Sequence, residues 1–290
     1  MITPQHGGIP DLSVEVATVG RMGNLVVTTH EGVATVVIDH APINLMTVPV
    51  FMELAETIDR LAAADEVRVV VFRSANPEWF IAHFDVAAIL SFPPEQGPPP
   101  TELNTYHQMC EQLRQMPKAT IAVIEGRVGG GGSELALSCD MRFAGPTTVF
   151  NQPEVALGII PGGTGTVRLP RLIGRSRALE AILGCDDIDA ATAERWGWVN
   201  RVLPTDELAT FVDRLAARIA SFPAHAVAAA KASVVRAEVG VLEQLLAEAH
   251  AFSGTLDNAA TRAAMEHFLA RGGQTPEGER RLGALAAELG

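Results

Sequence analysis

Two carboxylates and a run of glycines stand where chemistry can happen. Glu134 lies in Ser133-Glu134-Leu135-Ala136-Leu137, directly after Gly129 to Gly132, and Glu154 follows 20 positions later in Gln152-Pro153-Glu154. A further turn, Pro161-Gly162-Gly163-Thr164-Gly165, comes after it. The apolar, β-branched run Thr120 to Ile124 reads as a buried strand that Gly126 ends, and Ser133 to Leu137 reads as a helix with Glu134 in its first turn. A strand, a glycine turn and a helix start leave backbone N–H groups without intrahelical acceptors. Glycine lets a ligand approach those groups closely. Such donors stabilise a developing oxyanion by roughly 3–4 kcal/mol each. Two carboxylates beside them suit acid/base work at the carbon skeleton of an activated carbonyl. Each feature also has a plainer reading: a glycine run as a flexible turn, and a Glu at a helix start as a dipole partner worth about 0.3–1 kcal/mol.

Competing motifs fail by inspection. No Lys-Ser/Thr follows the glycines, so this is not a phosphate-binding P-loop. Leu135 stands where a nucleophile elbow around Ser133 needs glycine. Glu134 stands where a dinucleotide fingerprint spaced from Gly129 and Gly131 needs its third glycine.

The stretch GRVGGGGSELALSCD, followed by FNQPEVALGIIPGGTGTVRLPRLIG, resembles the crotonase superfamily, the enoyl-CoA hydratase/isomerase fold. Its glycine loop, Glu-Leu-Ala, Cys-Asp, Phe-x-Gln-Pro-Glu, Gly-x-x-Pro-Gly and Thr-x-Arg-Leu stand in the family's order and spacing. The likeness is most specific over residues 119–174 and extends from about 25 to about 270. It implies an α/β crotonase-like spiral of repeated ββα units with a C-terminal helical oligomerisation region. It implies catalytic roles for Glu134 and Glu154, an oxyanion hole from the N–H groups of Phe84 and Gly131, and a water held by the N–H of Gly162. Ala82, His83, Asp85 and Val86 fall in the implied substrate-binding loop.

That loop departs from the family's Ala-Gly-Ala-Asp-like pattern. Here it reads Ala82-His83-Phe84-Asp85, and Ala87 stands where a lysine near CoA is common. A backbone donor survives any substitution except proline, but Phe84 reshapes the acyl pocket. His83 has two readings, a packing or loop-bonding residue and a recruit for altered chemistry.

Composition bounds the rest. The 290 residues are 48% hydrophobic and 19% charged, enough for a sizeable core, and no apolar run is long enough for a membrane span. The net charge of −12, from 22 basic and 34 acidic residues, argues against a nucleic-acid partner. It also repels anions at long range, so a CoA thioester needs a local basic patch. The start of the chain shows no signal-peptide pattern. Cys110, Cys139 and Cys185 lack metal spacing and read as reduced thiols in the cytosol.

In chain order, residues 1–22 read as a loosely ordered extension, 23–204 as the spiral core with the active site, and 205–290 as the helical, trimerising region. Leu25–Thr29 and Val33–Asp39 form a hairpin around His30-Glu31-Gly32. Thr47–Ala64 is a helix, with Val50, Leu54, Ile58 and Leu61 on one face, and Val67–Phe72 a buried strand. Ser74–His83 reads as a loop. Phe92–Pro100, with five prolines, is a break: a surface loop beside the pocket, or a polyproline ligand for a partner. Helices follow over 102–116, 176–183, 189–194, 206–222, 224–236 and 241–270, with a strand at 197–202. Trp196 and Trp198 read as packing residues, and 272–290 as a frayed helix.

The resemblance thus implies an enzyme adding water across an α,β-unsaturated acyl-CoA thioester. The acyl-CoA is its substrate, with no resident cofactor or metal, and the assembly is a homotrimer or hexamer. Isomerisation or C–C cleavage of a bulkier acyl group, and a silent scaffold, are the alternatives.

Overall fold

The computed structural model describes residues 18–93 and 95–289, with side chains from residue 23. The extension expected over 1–22 lies outside the described residues up to residue 17. Its last five residues are a strand, β1 (Thr18–Met22), paired antiparallel with β2 (Leu25–His30). β2 turns through Glu31 and Gly32, both at positive φ, into β3 (Val33–Ile38).

The helix α1 (Val48–Ala63) follows. It is capped by Thr47 and buries the four apolar residues its spacing predicts. β4 (Val69–Ser74), β5 (Trp79–Ile81) and α2 (Val86–Ile89) come next, then α3 (Thr105–Gln115) after the proline-rich break. Two more turns of the spiral follow. The first is β6 (Ala119–Ile124), β7 (Arg127–Gly129) and α4 (Gly130–Ser138). The second is β8 (Met141–Ala144), β9 (Val149–Asn151), a 3-10 turn at Glu154–Leu157, α5 (Gly165–Ile173) and α6 (Arg175–Gly184). β10 (Ile188–Asp189), α7 (Ala190–Trp196) and β11 (Arg201–Val202) complete the sheets. The chain ends with α8 (Thr205–Ala220), α9 (Ala224–Val235), α10 (Val241–Leu256), α11 (Ala259–Ala270), α12 (Pro276–Glu279) and α13 (Leu282–Ala287).

Among the described residues the strands form two sheets. The larger has the order β1-β2-β3-β4-β6-β8-β11, and the smaller β10-β9-β7-β5. β4, β6 and β8 run parallel in the first, and β5, β7 and β9 run parallel in the second. Each successive strand pair therefore supplies one strand to each sheet, the expected ββα spiral. Both faces of the larger sheet are covered, which explains its unbroken apolar runs. Val70, Phe72, Ala122 and Ile124 face the main core with α1 and α3. Val69, Val71, Ile121 and Val123 face Leu208, Val212 and Ala216 of α8. α8, assigned by sequence to the C-terminal region, thus closes the spiral's outer face.

Several expectations need correction. Ser74–His83 contains β5, three residues all buried and too short to show a period. β7, β8 and β9 escaped notice for the same reason. α4 begins at Gly130, so Glu134 is its fifth residue and lies beyond the first turn. The helix read over 241–270 breaks at Asp257, and Asn258 caps α11 by accepting from the Ala260 N–H at 2.9 Å. The tail does not fray. Leu282, Leu285 and Ala286 are buried, and Leu282 and Leu285 pack with Val86, Leu157, Met265 and Phe268. Among the described residues no helix is long and apolar enough to cross a membrane.

The start of α4 lies against β5. A Cβ on Gly132 would stand 2.6 Å from Ile81 Cβ and 2.7 Å from Ile81 O, closer than real atoms come. Gly132→Ala should therefore destabilise the fold by about 1–3 kcal/mol, the range for overpacking. A denaturant midpoint unchanged from wild type would show that this contact yields freely.

Candidate active site

The segment after β5 carries one expected oxyanion donor. Met46 bridges Phe84 in parallel: the Met46 N–H donates to His83 O at 2.9 Å, and the Asp85 N–H to Met46 O at 3.0 Å. Backbone groups alternate along an extended chain, so the Phe84 N–H points away from Met46. It faces the start of α4, where a Cβ on Gly131 would lie 3.5 Å from it. The Gly131 N–H is in the first turn of α4 and has no intrahelical acceptor. Gly130, at φ 43°, makes the bend that brings this turn round. The Tyr106 hydroxyl donates to Gly131 O at 2.6 Å and ties α3 to the same turn. Burial first, then the negative charge around Cys110, Glu134 and Glu154, raises this phenol's pKa and keeps it a donor.

The other loop residues have structural partners. Ala82 lies buried against Gly129, and Val86 is buried in the C-terminal cluster. Asp85 caps α2 through the Ala87 N–H at 2.9 Å and accepts from Gln274 Nε2 at 2.8 Å. His83 is buried, and its Nε2 meets Glu279 Oε1 at 3.0 Å.

The structure brings the two carboxylates to one place. Glu134 is 4% exposed and Glu154 8%. Glu134 Oε1 accepts from the N–H groups of Gly163, at 2.8 Å, and Gly165, at 2.7 Å. The glycine turn predicted at 161–165 is thus a cradle for Glu134. Glu154 Oε2 accepts from Gln152 Nε2 at 3.4 Å, and Gln152 also lies against Gly165. The amide therefore sits between the two acids. On the other side, a Cβ on Gly130 would meet Glu154 Oε1 at 2.9 Å, next to the oxyanion turn.

Burial is the main force on both acids. It drives Glu134 well above the usual carboxylate range, helped by the charges of Glu154 and Glu248 and opposed by the two glycine N–H groups. It pushes Glu154 up to about 7, against its own backbone N–H and the positive charge of His83, with Glu248 adding to the rise. Burial and mutual repulsion thus both push the pair toward sharing a proton.

The sequence reading missed several neighbours. Phe51, Phe84 and Tyr106 pack ring on ring, with Phe84 also against Phe92 from the proline-rich break. Phe252 of α10 lies on Gly162, the residue expected to hold water, and Gly162 O is bound by His107 Nε2 at 2.9 Å. The same nitrogen meets Glu248 Oε1 at 3.2 Å, and Thr166 donates to the other oxygen of Glu248. His107 and Glu248 are polar residues on buried helix faces, and nothing in a helical period marks them out. Gln152 sits inside the quoted Gln-Pro-Glu motif and could have been found there.

A family model described as enoyl-CoA hydratase/isomerase matches residues 28–276. The chain is 31% identical over 249 residues to the short-chain-enoyl-CoA hydratase of Clostridium acetobutylicum, covering 85% of this chain and 95% of that protein. It is 32% identical over 212 residues to the crotonyl-CoA hydratase of Syntrophomonas wolfei, covering 72% and 80%. Other curated relatives are matched over less of their length, 57% for a probable mitochondrial enoyl-CoA hydratase of Dictyostelium discoideum and 26% for a multifunctional β-oxidation protein of Cucumis sativus. Among solved structures, a putative enoyl-CoA hydratase from Streptomyces avermitilis superposes with a TM-score of 0.85 at 38% identity, over 93% of this chain and 99% of that one. With this architecture and this spread of likeness, the chain belongs to the enoyl-CoA hydratase/isomerase family.

Proposed function

We propose that this enzyme adds water across the double bond of an α,β-unsaturated acyl-CoA. The observation that carries the reading is that Glu134 and Glu154 are both buried and near enough to act on one another, with Glu154 against Gly130, the neighbour of the Gly131 N–H. The thioester oxygen lies between the N–H groups of Phe84 and Gly131, which stabilise the enolate charge as it forms. Glu134, steadied at Oε1, takes a proton from water with Oε2 while the oxygen attacks the β-carbon. Glu154 delivers a proton to the α-carbon. The pair begins and ends with one proton, moved from Glu154 to Glu134; this order requires the Gly163 and Gly165 N–H groups to keep Glu134 ionised against its burial while Glu154 starts with the proton. The glycine turn supports this through its hold on Glu134 more than through a direct grip on water by Gly162.

Isomerisation is the second reading. His83 lies beside Glu154 and favours its ionised form, which suits Glu154 to remove an α- or γ-proton and return it elsewhere. Glu134→Gln separates the two. Under the hydration reading turnover of short enoyl-CoA falls by about 10²–10⁴-fold, with acyl-CoA binding kept. Unchanged turnover, followed by loss of the conjugated thioester absorbance, would remove Glu134 from the mechanism. Retained isomerisation of a 3-enoyl thioester would favour the second reading.

The same proposal includes assembly as a homotrimer or hexamer and a reducing, cytoplasmic setting. α9 buries no apolar residue, and Val234 of α9 and Val239 just after it are 73% and 81% exposed. That apolar face supports a subunit contact. The three cysteines are free and buried, consistent with a reducing compartment. Light scattering should give a multiple of the 30.7 kDa chain mass. A monomer at micromolar concentration would sink the assembly without touching the chemistry.

A further inference from the structure

His83 replaces the small residue of the family's oxyanion loop, and its surroundings give it a defined job. Nδ1 lies 2.7 Å from Phe84 O, and Nε2 lies 3.0 Å from Glu279 Oε1. Both partners are acceptors, so both ring nitrogens carry hydrogen and the imidazole is charged. Glu279 belongs to the docked tail. It also accepts from the Gln274 N–H at 2.8 Å, while the Gln274 side chain reaches Asp85 at 2.8 Å. The tail thus grips the residue on each side of Phe84. The Phe268 ring of α11 stands edge-on against the imidazole, 5.8 Å between centres. Toward the site, His83 Cβ and Glu154 Oε1 approach the same point over Gly130, at 3.0 and 2.9 Å.

A buried ion pair adds little net stability, and an apolar pair of the same shape would pack as well. Its retention beside the hole calls for another role. We propose that His83 and Glu279 are positioning residues: the C-terminal tail clamps the oxyanion loop through them, and the charged imidazole so held fixes the placement of the Phe84 amide and helps Glu154 give up its proton. The peptide that carries the Phe84 N–H is held from Met46 at its carbonyl and from the ring at the next one, so its donor direction is pinned on both sides.

The charged groups facing His83 are Glu279 of α12 and Glu154 of the 3-10 turn, with Arg127 of β7 acting on Glu279. Burial alone lowers the imidazole's affinity for a proton. The charge and hydrogen bond of Glu279, the bond to Phe84 O and the charge of Glu154 outweigh it and hold the pKa at about 9 against an ordinary 6.5. A folded-state value above the unfolded one means the pair's contribution is full below about 6.5 and lost as pH rises through about 9.

The kinetic part of this inference rests on the hydration reading, and the spectroscopic part does not. In the full-length enzyme, nitrogen-edited NMR of the imidazole should show both His83 nitrogens protonated to about pH 8, and Glu279→Gln should deprotonate one by about pH 7. Glu279→Gln should lower kcat by about tenfold or more with KM little changed, and should shift the pH profile of kcat. Glu279→Asp should restore part of both. Arg280→Ala, which cuts the tail's surface contacts with Glu78 and the Trp79 ring but leaves His83 and Glu279 in place, should resemble wild type. A neutral His83 at pH 7 in the wild-type enzyme would overturn the proposal whatever the turnover. So would a charged His83 joined to a Glu279→Gln enzyme whose kcat and pH profile match wild type. An enzyme without hydration activity counts against the hydration reading alone, and the NMR titration then decides the pair.

Discussion

Two acidic side chains hidden from water at the same spot repel one another, and much of the architecture around them answers that repulsion. Neither Glu134 nor Glu154 has solvent to stabilise a charge. Each therefore needs fixed dipoles, a counter-charge or a proton. The Pro161–Gly165 turn gives Glu134 two backbone donors, Gln152 gives Glu154 an amide, and His83 sets a positive charge beside it. The third carboxylate, Glu248, adds to the rise in pKa of both acids, and His107 and Thr166 hold it in place.

The Phe84 and Gly131 amides depend on a second constraint, close approach of backbone to backbone. β5 runs against the start of α4, and at Gly129 and Gly132 a side chain would collide with Ala82 O and Ile81. The glycine run is therefore required by packing as much as by a ligand. Its plain reading as a turn and its chemical reading describe one geometry: only a helix start pressed on the neighbouring strand brings the Gly131 and Phe84 amides side by side.

What could be read beforehand follows from signal length. Long strands and helices with one apolar face, such as Leu25–His30 and Val48–Ala63, declare themselves through their period. The Glu134–Glu154 spacing and the glycine turns were legible because the family resemblance covers them. β5, β7 and β9 have three residues each, fewer than two full alternations, and the smaller sheet was invisible as a result. His107, Glu248 and Glu279 were unreadable for another reason. A buried polar residue on a helix has the same letters around it as an exposed one, and its partner lies 141 or 196 positions away in sequence. The tail looked frayed because its composition is alanine and mixed charge, although Leu282 and Leu285 pack into the C-terminal cluster and Glu279 pairs with His83.

The C-terminal third therefore has a part in the site itself. Phe252 lies on the glycine turn that cradles Glu134, Glu248 pins His107 behind that turn, Phe268 backs the imidazole of His83, and Glu279 holds it. These contacts come from three separate helices, α10, α11 and α12, and they reach both halves of the candidate site: the Glu134 side through α10 and the His83–Phe84 loop through α11 and α12. A region whose sole task was subunit contact would have no reason to bury two glutamates against the glycine turn and the His83 loop, because charge burial is costly and apolar residues would serve an interface better. The burial is intelligible if the helices fix the electrostatics of a site whose own segments, short strands and glycine turns, are too sparse to hold themselves in place.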